Sequence, residues 1–597
     1  MAYLPTLTKK KAQQVVTSSF RGINRNAETA DGEYARVLNL STREFPMLCT
    51  RKPRGYVKTL TNPEGIAAKQ DGSVELDGTK VYYKGEEVTG LTLSTATSML
   101  PKRIVSFGAY VLIFPDKLYF NTVDPTDKGA IEGNYEATGT VTYTMCRPDG
   151  TDYQNVTSGT EPPASPDHGD YWIDTSDEEH RLMMYSATYG SWQQILTVYT
   201  RIESTGIGAM FPEGDAIEIS GAAAQDTDPQ SIQDQIAALN GAHYVYHATD
   251  DSIVVIGLLD ATYQQTGGLQ ASRSVPDMEF IVESENRLWG CHYGTGADGS
   301  TLNEIYASKL GDFKNWRVYQ GISTDSYTVS VGSDGPFTGA ITYQGYPCFF
   351  KDNILHKIYG SQPKNFQVMS TQMRGVRAGC GKSLCIVDGT LFYASRSGVE
   401  VYDGSLPQCI SKNFGDAVFE NAVAGAFGGR YYLSAYEDER WHIYTYDTKT
   451  NIWLEEDGFQ AIDFAQYADD LYALNTDGGI IAMLGTEGDP EDTVFWEAVT
   501  GLQTWETVDH KFVTRYNIRA QLAANAQVRA EIQYNSKGQW FDKMDLTNKA
   551  TTARTILMPV YPHRCDHLRM RLAGRGEIKI YSIARILTSG GDGQGGR

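Results

Sequence analysis

From about Val74 onward the chain alternates apolar and polar positions in short runs, the period-two pattern of half-buried strands. Examples are LDGTKVYYKG (76–85), SFGAYVLIF (106–114), TYQGYPCFFKD (342–352), VDGTLFYASRSGVEVYDG (387–404) and AFGGRYYLSAYEDERWHIYTYD (426–447). Asp-Gly and Gly-Gly pairs sit between the runs, and such pairs favour two-residue hairpins. In the second half the turn residues Gly345, Gly389, Gly429 and Asp470 recur about every forty residues. Each unit places an apolar strand before its turn, an aromatic-rich strand after it, and usually a second hairpin behind. Four strands per forty residues predict a mainly β protein with a β-propeller core, since a lone four-stranded blade cannot bury both faces. A string of β-sandwiches is the competing reading, because its turns recur every eight to twelve residues.

The same pattern sets boundaries. Residues 1–73 read as an extended N-terminal lead-in punctuated by Pro46, Pro53 and Gly55. The first propeller strands are expected over 74–124 and the remaining blades over 275–507. Between them, 125–274 breaks the period and reads as one or two small inserted α+β or β domains. It holds a helical pattern at PQSIQDQIAALNG (229–241), where Ile232, Ile236 and Leu239 recur at helical spacing. Long alternating strands at 508–588 predict a separate C-terminal β-sandwich, and 589–597 a flexible Gly-rich tail.

Composition supports the β reading: 37 Tyr and 59 Gly suit pleated sheets joined by tight turns. The net charge of -21 makes the chain a poor binder of nucleic acid, yet it suits a conduit wall that must not hold passing DNA. Lys9, Lys10 and Lys11 read as a solvated arm. No apolar run has the length of a bilayer span, so no membrane insertion is expected, and Met1 to Phe20 lacks the apolar stretch of a signal peptide. Eight scattered cysteines, the nearest pair being Cys380 and Cys385, form no CxxC, so free thiols in a reducing compartment and no metal or cofactor are expected.

Several motifs invite a chemical reading. Ser165 to Trp172 fits the S-x-D-x-G-x-x-W Asp-box of sialidases, a structural turn there, but it occurs once, and nothing in the sequence converges the arginines a sialidase site needs. Trp172 and Trp192 bracket a compact strand-turn-strand module and are candidate glycan contacts by ring stacking, although a Trp in a small β module more often fills its core. Gly294 to Gly299 matches GxGxxG but precedes another strand-like run, which predicts a loop between strands. His510, His563 and His567 cluster only loosely. With no HExxH, GxSxG, P-loop or EF-hand loop, the chain is expected not to be an enzyme.

Three stretches carry a family likeness: NLSTREFPMLCTRKPRG (39–55), the unit from Glu283 to Gln320 with ENRLW and LGDFKNWRVY, and the ending from Pro562 to Asp592. Together they resemble the tail hub or nozzle proteins of short-tailed bacteriophages, also termed tail stabilisation proteins, which are β-propeller virion proteins. The resemblance implies a homohexameric ring beneath the portal and adaptor, continuing the DNA channel, retaining the genome, and passing duplex DNA without specific binding. It also implies contacts with other tail proteins and fibres, and a place in the virion after assembly in the host cytoplasm. The insertion departs from the simplest family pattern. A receptor-binding, glycan-binding tail adhesin is the alternative, and a glycan-cleaving enzyme a third class. The lead-in, lacking a core of its own, is expected to pack on the propeller or on a neighbouring subunit.

Overall fold

The computed structural model describes residues 13–27, 29–70, 72–95, 101–296, 299–505 and 512–588. Lys9 to Lys11, His510 and the Gly-rich end therefore lie outside the described residues. The chain is mainly β. Among the described residues the α-helices are Ile207–Met210 and Gln230–Ala237 alone, the second within the predicted 229–241 pattern. No described helix is long and apolar enough to cross a membrane.

Seven antiparallel sheet units follow one another along the described chain, five of them separate four-stranded sheets. Six are built from strands lying within 63–87, 103–130, 280–330, 339–372, 385–409 and 420–456. The seventh takes Ala461–Tyr467, Asp470–Asn475 and Gly479–Ala482, receives its fourth strand, Gly55–Thr59, from the other end of the sequence, and ends on the short strand Asp489–Pro490. The first strands of successive sheets pack on one another in order, the fifth sheet joining through Gly381–Ser383. The circuit closes where Ala461–Tyr467 meets Pro63–Lys69. Turn chemistry drives this local structure. Asp388 (φ 47°) and Gly389 (φ 81°) link Val387 to its paired Thr390, and Gln344 (φ 54°) and Gly345 (φ 78°) link Tyr343 to Tyr346. Two successive positive φ values are the type I′ geometry that matches the strand twist. Tyr343, Tyr393, Tyr431, Tyr432 and Tyr444 are buried between sheets.

Two predicted boundaries are corrected. The first sheet starts at Pro63 rather than 74, and the described part of the lead-in already holds short strands from Gln13–Thr17 to Gly55–Thr59. The C-terminal strands do not stand apart at 508. Arg36–Leu38 bridges Ile452–Glu456 of the sixth sheet and Phe495–Val499, making one nine-stranded sheet that continues through Leu568–Arg575 and Gln527–Tyr534 to Trp540–Thr547. A second layer holds Leu40–Ser41, Leu48–Thr50, Ile578–Thr588, Phe512–Leu522 and Arg554–Val560, with Gln13–Thr17 also paired to Ile578–Thr588. Lead-in strands of two or three residues have no readable period, because their register comes from partners hundreds of residues away.

The inserted region forms a four-stranded and a five-stranded sheet around Val141, Tyr143, Ile202, Ile236 and Ile253, beside a small four-stranded module over 156–194. It docks on the third sheet. The Asp215 carboxylate pairs with Arg273 and accepts a bond from Asn315 Nδ2 at 2.7 Å, while Lys309 Nζ donates to the Gly214 carbonyl at 2.8 Å.

Candidate functional site

The structure separates the residues that the sequence nominated. Trp172 is 6% exposed, and its indole N–H donates to the Gly159 carbonyl at 3.0 Å. Half-buried Trp192 sets its ring edge-on to Trp172 (5.6 Å) and Tyr185 (5.5 Å). Trp172 is thus a core residue of the small module with no face free for a sugar, and this corrects its reading as a glycan contact. The Asp-box closes on itself, with Asp170 accepting a bond from the Asp167 N–H at 2.8 Å. The glycine-rich stretch lies between the paired strands Arg287–Thr295 and Thr301–Ala307, as a loop between strands, with Ala297 and Asp298 outside the described residues. His567 is held by Asp566 and Ser536, and His563 lies beside the Tyr534 ring. The cysteines are unpaired with one another, and burial pushes the Cys348 and Cys385 thiols up to about 12. Among the described residues no group of three His, Cys, Asp or Glu could hold a metal ion.

Two places bring together residues that sequence reasoning missed. The first is the centre of the sheet circuit. Lys382, at the entry to the fifth sheet, pairs with Asp463 of the seventh at 2.8 Å. Arg103 of the second sheet lies 4.4 Å over the Phe280 ring of the third and donates through Nε to the Glu279 carbonyl at 3.1 Å. A Cβ on Gly381 would stand 2.7 Å from Phe280 and 2.7 Å from the Thr338 carbonyl, and one on Gly65 would meet Asp463. These contacts link the fifth sheet to the seventh past the sixth, and the fifth to the third past the fourth. Burial raises the Asp463 carboxyl against the opposing pull of Lys382 and Arg103, and burial lowers the Arg103 guanidinium. The arrangement ties together sheets that are not adjacent in the circuit.

The second place is a groove between the insertion and the third sheet. Two cavities of about 200 and 460 Å³ share Trp316, Arg317 and Tyr319. Tyr199, Tyr246 and Tyr244 form an edge-on ladder at 5.0 Å steps near one end, and Tyr246 OH donates to Gln320 at 3.2 Å. At the other end Tyr306 OH donates to Glu304 at 2.6 Å, and burial with that carboxylate raises the phenol. His292 lies 3.3 Å from Glu279, whose carboxyl burial pushes up. The walls come from segments about a hundred residues apart, and no sequence signal joins them.

No family model matches the chain, and no curated protein matches it. Among solved structures it is similar to a surface component of the type-IX secretion system of Porphyromonas gingivalis, PorZ, at 11% identity and TM-score 0.25 over 92% of this chain and 85% of that one. It is also similar to an exo-β-1,3-galactanase of Phanerochaete chrysosporium, at 8% identity and TM-score 0.21 over 50% and 95%. A Bacillus subtilis arabinoxylan arabinofuranohydrolase of glycoside hydrolase family 43 matches at 9% identity and TM-score 0.19 over 52% and 95%. The expectation that the chain is not an enzyme is corrected here, because glycoside hydrolases stand among the similar structures. With TM-scores this far below 0.5, these likenesses carry no argument about its own activity.

Proposed function

We propose that the seven sheets are the blades of a β-propeller carrying a two-layered C-terminal β-sandwich, and that the chain is a structural component of a bacteriophage tail. Its role is that of a ring-forming nozzle or hub, a homohexamer that continues the DNA channel beneath other tail proteins. One observation carries this reading. Two of the stretches that resemble nozzle proteins, 39–55 and 562–588, lie at opposite ends of the sequence yet belong to one body: Leu48 pairs with Ile580, and Cys49 with Lys579. In such a ring the DNA path runs between copies rather than through one chain.

Native mass spectrometry and electron micrographs of the purified chain test the reading. Six-membered rings that do not retain duplex DNA at physiological salt are expected. A stable monomer at tens of micromolar, or tight duplex binding, sinks it. The tyrosine-lined groove supports a second reading, a glycan-binding tail adhesin; a monomer or trimer that binds surface polysaccharide would favour it.

A further inference from the structure

Charge is segregated along this chain and, in the fold, to opposite sides of the sheet circuit. Residues 131–275 contain 21 Asp and Glu against four Arg and no Lys, whereas residues 512–588 contain 13 Lys and Arg against five Asp and Glu. The acidic insertion is docked on the third sheet, and the basic body continues the sixth. Those sheets lie three steps apart one way around the circuit and four the other.

The basic body also has an outward face that the described residues leave uncovered. Along Phe512–Leu522, Tyr516, Ile518, Ala520 and Leu522 point inward and are buried, while Arg515 and Arg519 are exposed and form no ion pair among the described residues. Arg519 stands beside Leu557 on the neighbouring strand. Leu557 is 57% and Tyr561 59% exposed. Arginine around exposed aliphatic and aromatic side chains is the composition of a protein interface core and rim.

We propose that this face docks on the acidic insertion of a second copy of the chain, head to tail. A contact between two different patches on opposite sides of one subunit is heterologous and closes into a ring when its rotation permits. Complementary fields also set its register and speed encounter. Glu178 and Glu179, exposed at a loop of the insertion, lead the acidic side. The proposal rests on the ring reading above but is tested apart from it.

The test measures self-association of the full chain by sedimentation in about 0.1 M and 1 M salt, over which the screening length falls from about 10 Å to about 3 Å. Association is expected to weaken about tenfold or more with salt, and likewise in Arg515→Glu/Arg519→Glu and in Glu178→Lys/Glu179→Lys. An equimolar mixture of these two variants should regain it, since each reversed patch then meets its complement. Circular dichroism confirms that both variants fold. Rings that persist unchanged in both variants and at both salts overturn the proposal and leave the nozzle reading standing. Salt-sensitive association rescued in the mixture, but into dimers or open chains, keeps the contact and sinks the nozzle reading. Duplex DNA binding that the arginine variant loses, with self-association unaltered, overturns the proposal in favour of a nucleic-acid face.

Discussion

At the scale of single residues, Asn39 joins three parts of the molecule. It is fully buried with φ 56°, the left-handed region that Asn tolerates better than most residues. Its side-chain amide donates to Asp457 at 2.6 Å and to the Phe495 carbonyl at 2.8 Å, and its oxygen accepts from Arg51 Nε at 2.8 Å and the Asp457 N–H at 3.0 Å. Asn39→Ala forfeits these bonds and strains the backbone, so a loss of about 3 kcal/mol is expected. Hydrogen exchange at Arg36–Leu38 and Phe495–Val499 measures it, and Asn39→Gly, which relieves only the backbone, should recover a minor part. His356 sets a pH dependence. Burial, helped by Lys351, lowers its imidazole to about 4, while Ser333 and Ser370 hold its two nitrogens at 2.7 and 2.8 Å. The unfolded chain takes up this proton first. The stabilisation is therefore complete above pH 6.5 and lost as pH falls toward 4, by at most about 3 kcal/mol. Hydrogen exchange in the fourth sheet should show it between pH 7 and 4.5, and His356→Gln should flatten the slope.

At the scale of elements, the closing strand Gly55–Thr59 is the sensitive piece. A Cβ on Gly55 would fall 1.9 Å from the Glu487 carbonyl oxygen, so Gly55→Val must push the strand off its partner. Faster proteolysis within 461–490, with the fourth sheet unaffected, is the expected result. The strands most legible in the sequence are those whose turns carry their own chemistry, such as Asp388-Gly389, and the helix near 229–241 was legible from Ile232, Ile236 and Leu239. Gly55–Thr59 was not legible as a strand of the seventh sheet. Its partner lies over 400 residues away, and nothing local encodes that pairing. The cluster of Arg103, Lys382 and Asp463 was hidden for a related reason, since those side chains meet only once the circuit of sheets has closed. Trp172 misled because an aromatic at a hairpin reads the same whether it faces solvent or fills a core.

At the scale of the whole molecule, the first and last described strands pack in one body. Gln13 pairs with Leu587, and Arg585 with Asp31, so the lead-in is part of the C-terminal layers rather than an appendage. Deleting residues 1–54 removes the strand that joins the sixth sheet to the C-terminal body, together with three strands of its second layer. The expected outcome is insoluble or unfolded protein, read as lost soluble yield and lost cooperative melting. A folded, soluble product would show that the circuit of sheets stands without them.

The same interlacing has a consequence for synthesis on the ribosome. Residues 36–59 emerge early, but the strands that receive them, Gly479–Ala482 and Phe495–Val499, emerge more than 400 residues later. At roughly 5–20 residues per second, the early strands wait about 20 to 90 seconds for their partners. During that interval the first six sheets can form while the circuit stays open. Translation speed late in the message, or a chaperone that shields the waiting segment, is therefore expected to alter the yield of closed molecules, which soluble yield under slowed translation would measure.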